Sequence, residues 1–337
     1  MIRNVIVKEV AQYLPSKKVD NEYYAKYFEE LNIKSKGLHE AVGRDTRYII
    51  EDQQKENTYT MGLAAAKMVL EKSNVNPLEF DVLVFVSDMP EHLAPTSAVV
   101  IREEIGAYNA HMVFDFNLNC AGTVGALDTV SSILKTHKLY KKALIVSGFH
   151  GSMMARPDCP VSTGCLNDGG SALILEVVEE EKERGVIGAN YLAETTHWKL
   201  MSFPECGVSN IHNGTADLDP NTKKMYYAHT HDTVDLSRST IDAVSQLLEE
   251  NQLKPEDIQH YMLSQFDLDI SQDTAKAFNL PIERFTNTMP DYGYVGNASP
   301  LYSLKNVIET KQPKEGELGI LSSVAAGTIV ASVLYKF

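Results

Sequence analysis

Apolar runs alternating with stretches of helical spacing predict an α/β fold on a mostly parallel sheet, and a charged interruption midway predicts that the fold comes in two halves. Residues 81–86 (DVLVFV) and 143–147 (ALIVS) are apolar on both faces, as strands buried in a parallel sheet are. Residues 59–71, 99–105 and 125–135 read as helices between them. The chain has 337 residues, enough for two packed units of roughly 150 residues each.

In chain order, residues 1–7 (MIRNVIV) read as a strand and lack the basic n-region and apolar h-region of a signal peptide. Residues 113–118 have strand character, and Leu173-Ile174-Leu175 reads as a short strand after the turn 167–172. The stretch 176–185 (EVVEEEKERG) reads as a solvated connection and places the domain boundary: 1–180 form one half and 181–337 the other. The pattern then resumes, with strands at 186–191, 261–265 and 318–322 and helices at 237–250, 271–278 and 300–310.

The charge balance excludes several functions. A net charge of -14 makes nucleic acid or an anionic membrane surface a poor partner. No apolar run reaches the roughly 18 residues that span a bilayer. The four cysteines, Cys120, Cys159, Cys165 and Cys206, have 38, 5 and 40 residues between successive ones, which fits neither a disulfide framework nor a zinc site. Free thiols suit a reduced cytoplasm, and the ten histidines form no metal-binding pattern, so no metal is expected.

Cys120 is the most informative residue. The strand ending at Leu118 runs into Asn119-Cys120-Ala121-Gly122, after which Val124, Leu127, Val130 and Leu134 recur at helical spacing. A cysteine at such a strand-to-helix turn faces the free N–H groups of a helix start, whose field favours thiolate, the nucleophilic form. On local sequence alone a small buried cysteine that packs as a hydrophobe stands beside that reading. Three later segments place small residues at strand ends. Asn297, in Gly293-Tyr294-Val295-Gly296-Asn297-Ala298-Ser299-Pro300, reads locally as a turn or helix-cap residue. The turn Ser322-Ser323-Val324-Ala325-Ala326-Gly327-Thr328 suits either an oxyanion hole or tight packing. Asn167-Asp168-Gly169-Gly170-Ser171-Ala172 reads as a structural turn.

Taken in this order, the Cys120-Ala121-Gly122 turn, the 167–172 segment, Gly296-Asn297-Ala298-Ser299 and Val324-Ala325-Ala326-Gly327 resemble one family across nearly the whole chain. The chain is similar to β-ketoacyl-ACP synthase III, a condensing enzyme of the thiolase superfamily. The resemblance implies a thiolase-like fold, two duplicated βαβαβ halves in five α-β-α-β-α layers, and a homodimer or close heterodimer. It implies that Cys120 is acylated by acyl-CoA or acyl-ACP as substrate, with no resident cofactor. The backbone N–H groups of Cys120 and Ala326 would hold the thioester oxygen, and Asn297 would stabilise the enolate of a malonyl-type thioester.

The chain departs from the family pattern at several places. Ser264, in Leu263-Ser264-Gln265-Phe266-Asp267, stands where the family has a catalytic histidine, and one missing preorganised donor costs about 3 kcal/mol. The family's CoA-contacting tryptophan and arginines fall near Gly37, Ala41 and Pro160, and its basic carrier-docking residue falls at Asp269. In the loop that completes the partner subunit's acyl pocket, Ala94 replaces a bulky gate, and Glu91 or His92 is placed to rescue the lost histidine. Three functions follow: decarboxylative condensation in fatty-acid or specialised acyl and polyketide-like biosynthesis; acyl transfer to an amine, hydroxyl or other carbon nucleophile without decarboxylation; or a non-catalytic partner of a paralogue. The intact Cys120 and Asn297 turns weigh against the third.

Overall fold

The structure, a computed structural model, describes residues 1–212, 218–227 and 234–337. The first half of the chain forms β1 (Ile2–Tyr13), the short paired strands β2 (Lys17–Asp20) and β3 (Thr46–Ile49), β4 (Val82–Val86), β5 (Met112–Phe116), β6 (Lys142–His150) and β7 (Asp168–Glu180). The helices among them are α1 (Asn21–Glu30), α2 (Leu38–Ala41), α3 (Thr58–Ser73), α4 (Ser97–Ile105), α5 (Gly122–Thr136) and α6 (Gly151–Met154). The rest adds β8 (Gly185–Ala193), β9 (Met201–Ser202), β10 (Tyr226–Tyr227), β11 (His260–Met262), β12 (Leu318–Ala325) and β13 (Ile329–Lys336). Its helices are α7 (Val208–His212), α8 (Leu236–Glu250), α9 (Leu268–Ala277), α10 (Met289–Tyr292) and α11 (Ser299–Asn306).

Nine strands run in the order β11-β12-β13-β8-β1-β7-β6-β4-β5. A single parallel bridge, Val5 to Gly185, joins the β1 side to the β8 side. Helix α3 packs on β1, β6 and β7, and α8 packs on β8, β12 and β13. Helices α5 and α11 lie between, each touching strands of both sides and each other. The layers are therefore outer helix, sheet, central helices, sheet, outer helix. The largest apolar cluster fills the centre, where Val124, Leu127, Val130 and Leu134 of α5 meet Leu301 and Leu304 of α11. That four-residue stripe in the sequence is the buried face of α5, all of it at most 1% exposed.

The sheet is mixed rather than mostly parallel. β4 pairs in parallel with β5 and β6, and β11 with β12. β7 is antiparallel to β1 and β6, and β13 is antiparallel to β8 and β12. Segment 167–172 is not a turn: β7 begins at Asp168. Its glycines serve close packing instead, since a Cβ at Gly170 would lie 2.4 Å from the Met61 carbonyl oxygen and one at Gly169 2.5 Å from the Tyr302 hydroxyl. Nor is 176–185 all connection. β7 continues through Val177 and Val178 to Glu180, because one side of the strand still faces the core, and only 181–184 link it to β8.

Local chemistry fixes the element ends. An Asn57–Thr60 capping box starts α3 and Asn74, at φ 56°, ends it. Helix α4 is capped from outside: the Asp115 carboxylate of β5 accepts from the N–H groups of Ser97 and Ala98 at 2.9 and 2.8 Å. Asp168 is fully buried at the head of β7 and accepts from Ile50 N–H, Ser152 N–H and Ser152 Oγ at 2.7–2.9 Å.

Gly170→Ala drives a methyl into the Met61 backbone of α3 and is expected to cost about 3 kcal/mol. Gly316→Ala, at φ +89° with nothing within 4 Å, is expected to cost only the ~1–2 kcal/mol of its left-handed conformation. Urea unfolding midpoints of the two variants test the difference, and equal losses would contradict the close approach of α3 to β7.

Candidate active site

Cys120 sits in a single 3₁₀ turn, Asn119–Ala121, between β5 and α5. Three features hold it there. Asn119 adopts φ 46°, a left-handed conformation that asparagine tolerates and that turns the chain sharply. Gly122 lets the turn press on β4, since a Cβ there would lie 2.5 Å from Val86 Cγ1. The Ser323 hydroxyl of β12 donates to the Cys120 carbonyl at 3.0 Å.

A second 3₁₀ turn, Gly296–Ala298, leads into α11 and packs against the first. Gly296 takes φ 44°, and a Cβ there would lie 2.3 Å from the Phe149 ring. Asn297 is wholly buried. Its carbonyl accepts from Thr123 Oγ1 of α5 and its Oδ1 from Ser147 Oγ of β6, both at 2.6 Å, while its Nδ2 has no partner.

Cys120 opens onto a cavity of about 620 Å³. Its wall near the sulfur includes Asp88, Phe149, Phe266, Tyr294 and the Ala325-Ala326-Gly327 turn. Ala326 lies in the hairpin loop between β12 and β13 and faces the same cavity as Cys120. Ser264 is 2% exposed and its Oγ has no partner, but it is not part of the cavity wall, and neither is Asn297. Gln265 beside Ser264 is committed to structure: Nε2 donates to Leu263 and Thr286 carbonyls and Oε1 accepts from Thr288. Glu91, His92 and Ala94 are exposed and line no part of this chain's own cavity. Gly37 caps α2 and Ala41 ends it, and His39 between them donates to the Pro160 carbonyl at 3.1 Å. Asp269, in the first turn of α9, lies at the cavity mouth with Asp235, Asp267 and Asp273.

Burial works against the thiolate expectation. Burial pushes the Cys120 thiol up to about 12, and the Asp88 carboxylate adds to the rise. A helix start is worth typically 0.3–1 kcal/mol, too little to offset that desolvation. The Tyr294 hydroxyl stands close enough to the sulfur to oppose the rise, although the two form no hydrogen bond of ordinary geometry. Asp88 is itself pushed up to about 6 by desolvation, and its Oδ1 is shut off from solvent without a partner. The resting site is therefore a neutral thiol beside a carboxyl that titrates near physiological pH.

Sequence reasoning missed Asp88, Tyr294 and Arg44. Asp88 had a usable signal, since it lies just past the carboxyl end of the buried parallel strand β4, where ligands bind in open α/β sheets. Tyr294 sits inside the Asn297 motif, but nothing local turns its ring toward Cys120. Arg44 carries no sequence signal of burial at all. Among the described residues no group of His, Cys, Asp and Glu is arranged to hold a metal, and no helix is long and apolar enough to cross a membrane.

A cysteine turn and an asparagine turn packed back to back between two sheets define a thiolase-like condensing enzyme. The chain belongs to the 3-oxoacyl-ACP synthase III family, whose family models match residues 114–198 and, for the C-terminal part, 248–337. It is 25% identical over 337 residues to a β-ketoacyl-ACP synthase III of Clostridium acetobutylicum, covering 100% of this chain and 99% of the relative. The Clostridium novyi enzyme of the same name is 26% identical and is covered to 99%, as is this chain. The crystal structure of 3-oxoacyl-ACP synthase III from Aquifex aeolicus superposes with a TM-score of 0.85 at 21% identity, covering 99% of this chain and 100% of that one.

The Asp88 carboxyl holds its proton more tightly when folded than when unfolded, so the folded state binds more protons between about pH 4 and pH 6. Stability contributed by this group is therefore present below pH 4 and lost as pH rises through 6. The rise from 3.8 to about 6 bounds the loss at roughly 3 kcal/mol. Asp88→Asn should be more stable than wild type at pH 8, with the gain vanishing at pH 4. Chemical denaturation at the two pH values checks this, and a pH-independent difference would remove Asp88 as a buried titrating group.

Proposed function

We propose that this chain is an acyltransferase of the 3-oxoacyl-ACP synthase III type that carries its acyl group on Cys120. The observation that supports this best is Cys120 at the end of a 620 Å³ cavity whose wall also holds the Ala325-Ala326-Gly327 turn. An acyl thioester enters with its carbonyl oxygen toward the N–H groups of Cys120 and Ala326. The Cys120 sulfur attacks, its proton passes to the Asp88 carboxylate, and the carrier leaves as a thiolate that takes the proton up. In the second half, a malonyl-type thioester loses CO2, its enolate carbon attacks the acyl-Cys120 carbonyl, and the released thiolate takes a proton from water.

Moving a proton from a thiol at about 12 to a carboxyl at about 6 costs roughly 8 kcal/mol. That is an upper bound, because protonating Asp88 removes the charge that raises the thiol. It fits within the ~16 kcal/mol that a step of about 10 per second allows. Asn297 and Ser264 are the residues assigned to the enolate, Ser264 standing in for the family's histidine. Both are off the cavity wall, which favours a second reading: acyl transfer to an amine or hydroxyl without decarboxylation. The similar Clostridium enzymes are named for an acyl carrier protein, and acyl-CoA or acyl-ACP is the donor proposed here. Among the described residues, four aspartates of the cavity wall, Asp235, Asp267, Asp269 and Asp273, present an acidic carrier with like charge. A homodimer is proposed, with the exposed Glu91–Pro95 loop completing the partner's pocket.

Intact-mass analysis after incubation with acyl thioesters should show one acyl group on wild type and on Cys159→Ala, Cys165→Ala and Cys206→Ala, and none on Cys120→Ala. The acylation rate should climb with pH to about 6 as Asp88 ionises, then level off, and Asp88→Asn should lose that limb with at least a tenfold fall in rate. Malonyl decarboxylation should be slow in wild type and faster in Ser264→His. If that variant gains nothing while the acyl group passes to an amine or alcohol, the second reading replaces the first.

A further inference from the structure

A buried tyrosine usually finds a hydrogen-bond partner, because an unsatisfied hydroxyl costs stability that a phenylalanine in the same place would keep. Tyr294 is an exception. It is 1% exposed, and its hydroxyl is shut off from solvent without a partner of ordinary geometry. The ring itself is firmly held. It meets the rings of Phe149 and Phe266 edge to face, with centroids 6.4 and 5.3 Å away. The backbone is tied down as well, since the Tyr294 carbonyl accepts from Asn167 N–H at 3.0 Å and the Asn297 turn begins two residues later. Packing therefore fixes where the hydroxyl sits. It sits beside the Cys120 sulfur, and both residues line the same cavity.

What the hydroxyl lacks is an acceptor, and the reaction makes one. A thiol sulfur is a weak acceptor, so the resting Cys120 leaves the phenol unsatisfied. A thiolate at the same place is a full negative charge in a buried pocket, where a hydrogen bond to it is strong. The phenol keeps its own proton, because burial and the neighbouring Cys120 and Asp88 push its ionisation well above the usual range. Ser264 and Asn297 also carry unpartnered polar atoms, but neither lines the cavity.

We infer that Tyr294 is a catalytic residue whose hydroxyl donates a hydrogen bond to the Cys120 thiolate each time the reaction forms it. In the first half the S–H bond breaks, its proton goes to the Asp88 carboxylate, and the phenol O–H holds the sulfur until the C–S bond to the acyl group forms. A thioester sulfur is again a weak acceptor, so the phenol is released. In the second half the acceptor's attack on the acyl carbonyl breaks that C–S bond and the electron pair returns to sulfur. The phenol then holds the thiolate until it takes a proton from water. The O–H bond of Tyr294 is never broken, and its role is the same for an enolate, amine or alcohol acceptor. This rests on the reading of Cys120 as the acylated residue.

Iodoacetamide tests the contact without any acyl donor, because it alkylates the thiolate. Tyr294→Phe keeps the ring and removes only the hydroxyl. At pH 8 it should slow alkylation of Cys120, read by peptide mass, by at least threefold. A bond that raises the thiolate fraction tenfold gives back about half of that factor, on a logarithmic scale, as weaker nucleophilicity. Acylation by a thioester should slow by at least the same factor, while the urea midpoint is no lower than that of wild type. An unchanged alkylation rate would overturn the inference. So would slower rates accompanied by a lower midpoint, which would make the hydroxyl structural. Should Tyr294→Phe fail to fold, 3-fluorotyrosine at position 294 decides, since it keeps the ring and strengthens the donor. Alkylation should then be faster than in wild type, and an equal or slower rate counts against the bond. If wild type takes no acyl group while alkylation of Cys120 still depends on Tyr294, the acylation reading fails and this one stands.

Discussion

The contact between the Cys120 turn and the Asn297 turn is the constraint on which the rest of the molecule depends. Each turn starts one of the two central helices, the first after β5 and the second after α10. Thr123 Oγ1 bonds the Asn297 carbonyl, Ser147 Oγ bonds Asn297 Oδ1, and Ser323 Oγ bonds the Cys120 carbonyl. These hydroxyl bonds run between β6, β12, α5 and the turn before α11, so both sides of the fold are registered at one point. Buried polar groups must be satisfied, which makes this a positional lock as well as a packing contact. Small residues are required for it, because Gly122 and Gly296 stand where a methyl would strike Val86 or Phe149.

That packing also sets the electrostatics. Closing the turns into the core strips solvent from Cys120, and dehydration raises a thiol far more than a helix start lowers it. The result is a protonated thiol with the Asp88 carboxyl and the Tyr294 hydroxyl as titrating neighbours. Desolvation raises the Asp88 carboxyl to about 6, and keeping that group out of solvent destabilises the fold once it ionises near neutral pH. Arg44, 1% exposed, is a second buried charged group beside the same cavity.

Much of the architecture was legible in the sequence because burial leaves a periodic trace. The runs at 82–86 and 143–147 are apolar at every position because both faces of β4 and β6 are covered. The stripe Val124, Leu127, Val130, Leu134 is the inward face of α5. Strand direction was not legible. β7 and β13 run antiparallel to their neighbours, and pairing direction depends on where the preceding loop delivers the chain. The 167–172 segment was misread because paired glycines look the same in a turn and in a strand that needs close approach. Its glycines face Met61 and Tyr302, distant in the chain.

By itself the sequence determined the layered α/β class, the cysteine turn and the asparagine turn, since each is a local pattern of small and apolar residues whose spacing survives without a fold. Only the tertiary structure decided the chemistry around the sulfur. Asp88, Tyr294 and Arg44 come from three separate segments, and their charges and protonation depend on how much solvent the packing of all three excludes. A pKa is a property of an environment, and that environment exists only once the two sides of the sheet have closed on α5 and α11.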